Sequence, residues 1–339
     1  MSTSSDIFVS IIIPVYNVEN YIVDCLLSVI NQDYCGRVEC LIVDDNSTDN
    51  SLEIIEEFIS HYSGTIDFKI LAQDKNGGVS AARNIGIKNA LGNYLLFLDS
   101  DDELALNCLN ELTKPLLKYN YDIVLGGYFI NSNEKYVDGH TFKQDCSIDS
   151  NELIRTKFNQ GLWYVMPWNK LCSKTFLVSN NLLFQEGIIY EDELWSLKLA
   201  NCAQSMYLVS SITYFYKIRE NSIMTTVNTN IYEKLERKIV LYTLLEKYVL
   251  IDQKYDVSNY DYLENKRNNL LNDLYEHRRE IHIKSLYLKL HNSTIYSSSS
   301  FPVAHTFKVF IRDFHFIIPG WISYYFWYLY RSIYFIVTR

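Results

Sequence analysis

The chain is 339 residues long, enough for one large domain with appendages, and 48% of it is apolar, so a sizeable core is available. A formal net charge of −9 argues against nucleic acid as a partner, because phosphate-rich polymers need a basic face. Seven scattered cysteines with no C-x-x-C pair read as reduced thiols, neither a disulfide framework nor a zinc site, and the opening residues carry neither a basic region nor a long apolar run, so no signal peptide is expected.

Strand and helix signals alternate over the first 130 residues. Phe8 to Ile13 is a β-branched strand stopped by Pro14, which has no N–H to give to a ladder. Tyr21, Ile22, Cys25, Leu26, Val29 and Ile30 recur at helical spacing. Val38 to Val43 is a second apolar strand, ending in Asp44-Asp45, and Thr48 or Asp49 is the expected N-cap of the helix that carries Leu52, Ile55, Phe58 and Ile59. Phe68 to Leu71 is a short strand. Gly77-Gly78 forms a turn into a helix over 79–90. Tyr94 to Leu98 is a buried strand, a helix is expected from about Glu103 to Tyr119 with Asp102 as its N-cap, and Ile123 to Leu125 is a further strand. Such alternation implies a mainly parallel sheet with helices on both faces, and ligands then bind at the carboxyl ends of the strands. Residues 131–150 are polar and read as a loop. A mixed segment runs to about 225, a charged helical region spans about 231–290, and Ser297 to Ser300 is a low-complexity linker before an aromatic tail.

Polar residues gather at three of those strand ends. Leu98-Asp99-Ser100-Asp101-Asp102 places three carboxylates within four residues, which packing alone would not favour. A hard divalent cation, Mn²⁺ or Mg²⁺, relieves that repulsion. Tyr16 offers a ring face to a planar base, and a carboxylate of Asp44 or Asp45 can accept an imide N–H or ribose hydroxyls, which together suggest a nucleoside pocket. Arg83, one turn into the helix after Gly77-Gly78, is placed to face a diphosphate near a helix N-terminus. Each has a plainer reading: a tyrosine at a strand end, a solvated arginine, and, for Glu191-Asp192-Glu193, the acidic first turn of a helix.

Taken together, VSIIIPVYN, SVINQ, VDDNSTD, NGGVSAARN and LDSDD resemble the family 2 glycosyltransferases over roughly residues 8–130. Trp168-Asn169-Lys170-Leu171, Glu191-Asp192 and Tyr214 to Ile223 extend the resemblance to about 225. It implies a GT-A fold, an α/β Rossmann-like sheet with flanking helices, with catalytic residues 1–225 divided into a nucleotide-sugar half (about 8–130) and an acceptor half (about 131–225). A helical extension (226–296) and the tail (297–339) follow. It also implies an inverting, metal-dependent enzyme using a nucleotide-sugar donor, either UDP-hexose or UDP-N-acetylhexosamine. Pro14, Tyr16 and Asp45 match nucleoside-binding positions, with Asp44 and Glu19 in the same pocket. Asp99 and Asp101 match the D-x-D acids, Asp101 as the direct metal ligand and Asp99 as a contact to ribose or metal-bound water. Asp192 matches the catalytic base. Arg83 and Lys170 are candidates for diphosphate or sugar contacts. Trp195 and Lys217 depart from the family's usual Phe and Arg.

The chemistry needs these types: a cation to stabilise charge on the departing diphosphate, and one carboxylate on the opposite sugar face to take the acceptor's proton. Two alternatives share features with this reading. A sugar nucleotidyltransferase should carry a Gly-rich basic loop where Pro14-Val15-Tyr16-Asn17 stands, and a non-catalytic nucleotide-sugar-binding subunit should have lost the metal or base position. The tail carries thirteen Phe, Tyr or Trp between 307 and 337, net basic, and Pro319-Gly320 and His315 interrupt its uncharged run. It is too short and polar for a spanning helix and suits a membrane interface, or else a helical cap. The expected setting is the inner face of the cell membrane, peripheral and cytoplasmic. The expected acceptor is a polyprenyl-diphosphate-linked saccharide of O-antigen, capsule or exopolysaccharide assembly. No Q-x-x-R-W motif is present, so single addition is expected.

Overall fold

In a computed structural model, residues 7–132, 135–218, 230–252, 257–280, 282–294, 314–316 and 318–337 are described. The Ser297–Ser300 linker, most of the tail before Phe314, and the end of the Tyr214–Ile223 stretch lie outside them. The chain forms two compact units, Met1–Gly187 with Glu191–Glu220, and Ile188–Tyr190 with Asn221–Arg339.

The first unit is built on strands β1 (Phe8–Val15), β2 (Arg37–Asp44), β3 (Asp67–Ala72), β4 (Tyr94–Phe97), β5 (Glu103–Leu104), β6 (Ile123–Ser132), β7 (Lys135–His140), β8 (Cys146–Ile148), β9 (Lys170–Ser173) and β10 (Met206–Lys217). They form one sheet in the order β3-β2-β1-β4-β9-β6-β10-β5, with β7 on β6 and β8 on β10. β3, β2, β1 and β4 are parallel, as the alternation requires. Val9 to Val15 and Val38 to Asp44 are buried throughout, the pattern of strands covered on both faces. The sheet as a whole is mixed, because β9 enters antiparallel between β4 and β6.

Helices α1 (Ile22–Ile30), α2 (Ser51–Ser60) and α3 (Val79–Asn89) are the crossovers. A Cβ on Gly86 would stand 2.3 Å from Ile12 Cγ2, so α3 sits close against β1. Beneath this layer Glu39, wholly buried on β2, accepts from Ser10 Oγ (2.5 Å), Leu91 N (2.5 Å), Gly92 N (3.2 Å) and Lys69 Nζ (2.9 Å). Replacing Glu39 by Ala strands these donors and is expected to lower the unfolding free energy by about 3 kcal/mol, measured by urea denaturation.

Three expectations are corrected. The helix from Glu103 to Tyr119 is instead strand β5, the short α4 (Cys108–Thr113) and a 3₁₀ turn (Lys114–Leu117). Glu103 and Leu104 pair with Phe215 and Tyr214, and Lys217 forms an ion pair with Glu103, so the chain is extended there. Residues 131–150 are not a loop: β6 continues to Ser132 and forms a hairpin with β7, whose polar residues face water at a sheet edge. The N-cap of α2 is Asn50, while Asp49 accepts from Ser51 N (3.0 Å) and Glu19 N (3.0 Å). Three further helices complete the unit: α5 (Asn151–Asn159), α6 (Lys174–Ser179) and α7 (Glu191–Cys202).

The second unit holds α8 (Ile231–Lys247), α9 (Val257–Glu276), α10 (Ile283–Ser293) and α11 (Gly320–Val337). Its core is Leu235, Ile239, Leu271, Leu274, Leu286, Tyr287 and Trp327. Lys238 bridges to Asp273 (2.5 Å) and Lys289 to Glu236 (2.6 Å) across its helices. The tail helix α11 therefore packs as part of this unit, with Arg331 donating to Asn272 (2.5 Å) and Tyr275 to Ser332 (2.8 Å).

Candidate active site

The carboxyl ends of β1, β2 and β4 meet at one edge, as doubly covered parallel strands do. At the end of β1, Tyr16 leaves the sheet exposed and Asn17 takes φ 51°. Asn17 Oδ1 accepts from Thr48 N (2.8 Å), which joins this turn to the end of β2. Glu19 accepts from Asn50 N (3.0 Å) and Nδ2 (2.8 Å), so its carboxylate braces the start of α2. Asp44 is buried and accepts from Ser47 N (3.2 Å).

Asp45 has a role the sequence did not suggest. Its carboxylate accepts from Gly77 N (2.7 Å), Gly78 N (2.8 Å) and Gln73 Nε2 (2.7 Å). Gly78 has φ 84°, which favours glycine. The anion held at this turn is thus a side chain of the protein, and the end of β2 is fastened to the turn that opens α3.

Arg83 is the centre of the site. It is buried, and its two terminal nitrogens donate to different acids: Nη2 to Asp99 Oδ1 (2.8 Å) and Nη1 to Glu191 Oε1 (2.8 Å). Its guanidinium lies 5.3 Å from the Phe184 ring centroid. Burial opposes the charge, but Asp99 and Glu191 outweigh it and hold the group above its ordinary pKa. A solvated surface arginine is excluded. The planar guanidinium joins the D-x-D loop after β4 to the first turn of α7, as one point charge on a flexible stem would not.

The three acids of the pentad separate. Asp99 and Asp101 are half-buried. Asp102 is buried, accepts from Tyr214 Oη (2.7 Å) and Lys217 N (2.8 Å), and is pushed well above the usual carboxylate range by burial and then by Asp101 and Asp99. It caps no helix, since Glu103 is in β5. The Tyr214 hydroxyl also accepts from Asp99 N (3.3 Å), so β10 fixes the loop from both ends. Trp168 stacks on Tyr214 at 4.4 Å. Asn169, at φ 58°, accepts from Thr213 Oγ1 (2.7 Å) and donates to Gly126 O (3.1 Å) and Gly127 O (3.0 Å). The W-N-K segment thereby braces β10, which in turn braces the pentad.

Lys170 is wholly buried at the start of β9. It donates to Met166 O and lies 4.2 Å from the Tyr164 ring centroid, and burial brings its pKa down to about 7. Its side-chain nitrogen is engaged in the interior, whereas Asp99 and Glu191 gather around Arg83.

Asp192 begins α7 beside Glu191 and accepts from Glu193 N (2.9 Å). Burial, then the neighbouring Glu191, raise its pKa to about 6, with Arg83 pulling the other way. A carboxylate so placed is ionised at neutral pH yet a better proton acceptor than a solvated one. The sequence reading did not single out Glu191 or Tyr214 as site residues. The signal available for Glu191 was its place beside Asp192.

Comparison with known proteins places the chain in a family. Residues 10–177 match glycosyl transferase family 2. The chain is 30% identical over 228 residues to glycosyltransferase GlyG of Streptococcus pneumoniae, covering 64% of this chain and 73% of GlyG. It is also 33% identical over 225 residues to S. pneumoniae GlyA, covering 63% of this chain but only 31% of GlyA. An uncharacterised Haemophilus influenzae glycosyltransferase is 30% identical over 256 residues, 71% of this chain and 95% of the relative. The fold is shared with the crystal structure of S. aureus TarS 1–349 in complex with UDP-GlcNAc, with a TM-score of 0.60 at 22% identity, covering 84% of this chain and 81% of TarS 1–349. With its GT-A α/β fold and these relatives, the chain belongs to glycosyl transferase family 2.

Proposed function

We propose that this enzyme moves one sugar from a UDP-linked donor, a UDP-hexose or UDP-N-acetylhexosamine, to a hydroxyl of a lipid-linked saccharide, inverting the anomeric centre. The observation that carries the reading is the Arg83 bridge. One guanidinium holds Asp99 of the D-x-D loop and Glu191 beside Asp192, both at 2.8 Å, which supports a donor end and a base end acting side by side. Tyr16 is free to cover a base, and Asp44, Asp45 and Pro14 frame the nucleoside. Asp192 takes the acceptor proton.

Asp99 and Asp101 are the residues that would hold Mn²⁺ or Mg²⁺. Two half-buried carboxylates fit such a cation when substrate phosphates complete its shell. Among the described residues no group of three or more His, Cys, Asp or Glu gathers to hold an ion unaided, and Asp102 is turned inward to β10. When bound, the cation supplies Lewis-acid stabilisation of the departing diphosphate. The protein's own part is to hold the loop that carries the two acids, through Arg83 on Asp99 and through Tyr214 on the Asp99 amide and Asp102. The arrangement predicts weak cation binding alone and much tighter binding with UDP, read by Mn²⁺ titration calorimetry.

The similarity to TarS, whose name is poly(ribitol-phosphate) β-N-acetylglucosaminyltransferase, supports a surface-polymer acceptor of the O-antigen, capsule or exopolysaccharide kind. The acceptor would be met at the inner face of the cell membrane. A UDP-sugar panel with Mn²⁺ tests the reaction. A β-linked product from an α-linked donor, seen in the anomeric NMR coupling, is expected. A retained α configuration, or no turnover of any donor, overturns it.

A further inference from the structure

The tail helix α11 has two unlike faces. Ser323, Trp327 and Arg331, spaced four apart, are buried. Trp327 stacks on Tyr287 at 4.7 Å and Ser323 hydrogen-bonds the Tyr287 hydroxyl (2.5 Å). The other face is a second line at the same spacing: Trp321 (71% exposed), Tyr325 (62%), Leu329 (62%) and Ile333 (55%). Ile322 and Tyr328 widen it. At 1.5 Å per residue the line from Trp321 to Ile333 is about 18 Å long. An apolar stripe of this length is uncommon on a surface that meets only water.

The chemistry around the stripe selects its occupant. Neither α11 nor α10 contains an acidic residue. Lys284 of α10 stands at the border, donating to Tyr325 Oη (3.2 Å) and lying 4.7 Å from the Tyr325 ring centroid. Tryptophan and tyrosine with a wet polar tip, an aliphatic line and a bordering ammonium match the level of lipid headgroups. Among the described residues no helix is long and apolar enough to cross a membrane, so α11 would lie along the surface.

We infer that the Trp321–Ile333 face of α11 docks on an anionic lipid surface, with Lys284 toward the headgroups. This deepens the proposed reaction by giving the face through which the enzyme meets a lipid-linked acceptor. The test uses the full chain, without donor or acceptor, so its failure and that of the sugar-transfer reading are separable. Flotation on phosphatidylglycerol/phosphatidylcholine vesicles is expected to carry the wild type upward. The double variant Trp321→Glu/Leu329→Glu is expected to lower the bound-to-free ratio by at least about 30-fold. The milder Tyr325→Ser is expected to lower it less, and Leu106→Glu, an exposed site on the other unit, to leave it unchanged. Lys284→Gln is expected to weaken binding to the anionic vesicles about fivefold and binding to pure phosphatidylcholine hardly at all. Circular dichroism confirms that each variant is folded. Failure of the wild type to float, or equal flotation of the double variant and Tyr325→Ser, overturns the inference. So does a wild-type dimer in vesicle-free sedimentation that the double variant converts to monomer.

Discussion

Replacing Asp192 by Asn is expected to cut sugar transfer by about 10²–10⁴-fold while leaving UDP affinity unchanged. The amide keeps the shape of the side chain and its acceptor oxygen for Glu193 N, so the first turn of α7 should stand. What it loses is the capacity to take a proton. The pH dependence gives an independent check. Burial and Glu191 raise the Asp192 pKa to about 6, and as a base Asp192 would work ionised. The rate of transfer should therefore be constant above about pH 7 and fall as pH drops through about 6. In the Asn variant this acid limb should vanish. Turnover by Asp192→Asn at the wild-type rate would remove Asp192 as the base.

Arg83→Met should have the second large effect, on stability and rate together. It leaves Asp99 and Glu191 without the cation between them, in a place too dry to ignore the loss. Breaking a buried ion pair by removing one partner typically costs about 3–5 kcal/mol, read by denaturant unfolding. Since Arg83 also holds the Asp192 pKa down, the acid limb of the rate profile should move to higher pH in the variant. Arg83→Lys restores the charge but can satisfy one acid at a time, so it should recover much of the stability and little of the rate. A variant with Met at 83 that is as stable as wild type and equally active would show that the bridge is incidental.

The parallel half of the sheet was legible because its physics is local. Strands buried on both faces read as unbroken apolar runs, and Phe8 to Ile13 and Val38 to Val43 are such runs. The polar residues that end them stand out for the same reason. What the sequence concealed depends on partners far along the chain. Asp102 looks like a helix cap until Tyr214 and Lys217, more than a hundred residues on, take its two oxygens. β5 is two residues long and has no periodicity to detect. β7 is a polar edge strand, so alternation is hidden by water on both sides. Asp45 could be recognised as a pocket acid but not as the clasp of the Gly77-Gly78 turn, because that requires knowing that α3 begins beside β2. Arg83 stood out by its position one turn into α3, but its partners could not be read, since Asp99 lies 16 and Glu191 108 positions away.

The anchoring of the pentad by β10 bears on how members of such a family could be recombined. The stretch that matches the family ends at residue 177, which invites a splice just beyond it to exchange acceptor preferences. Yet the tyrosine and the backbone amide that hold Asp102, and through it the acidic loop, come from positions 214 and 217. A chimera joined at 177 would inherit its acidic loop from one parent and that loop's tether from the other. Grafts that carry the segment through Lys217 from the same parent keep the tether intact, and the serviceable module boundary lies some forty residues beyond the end of the family match.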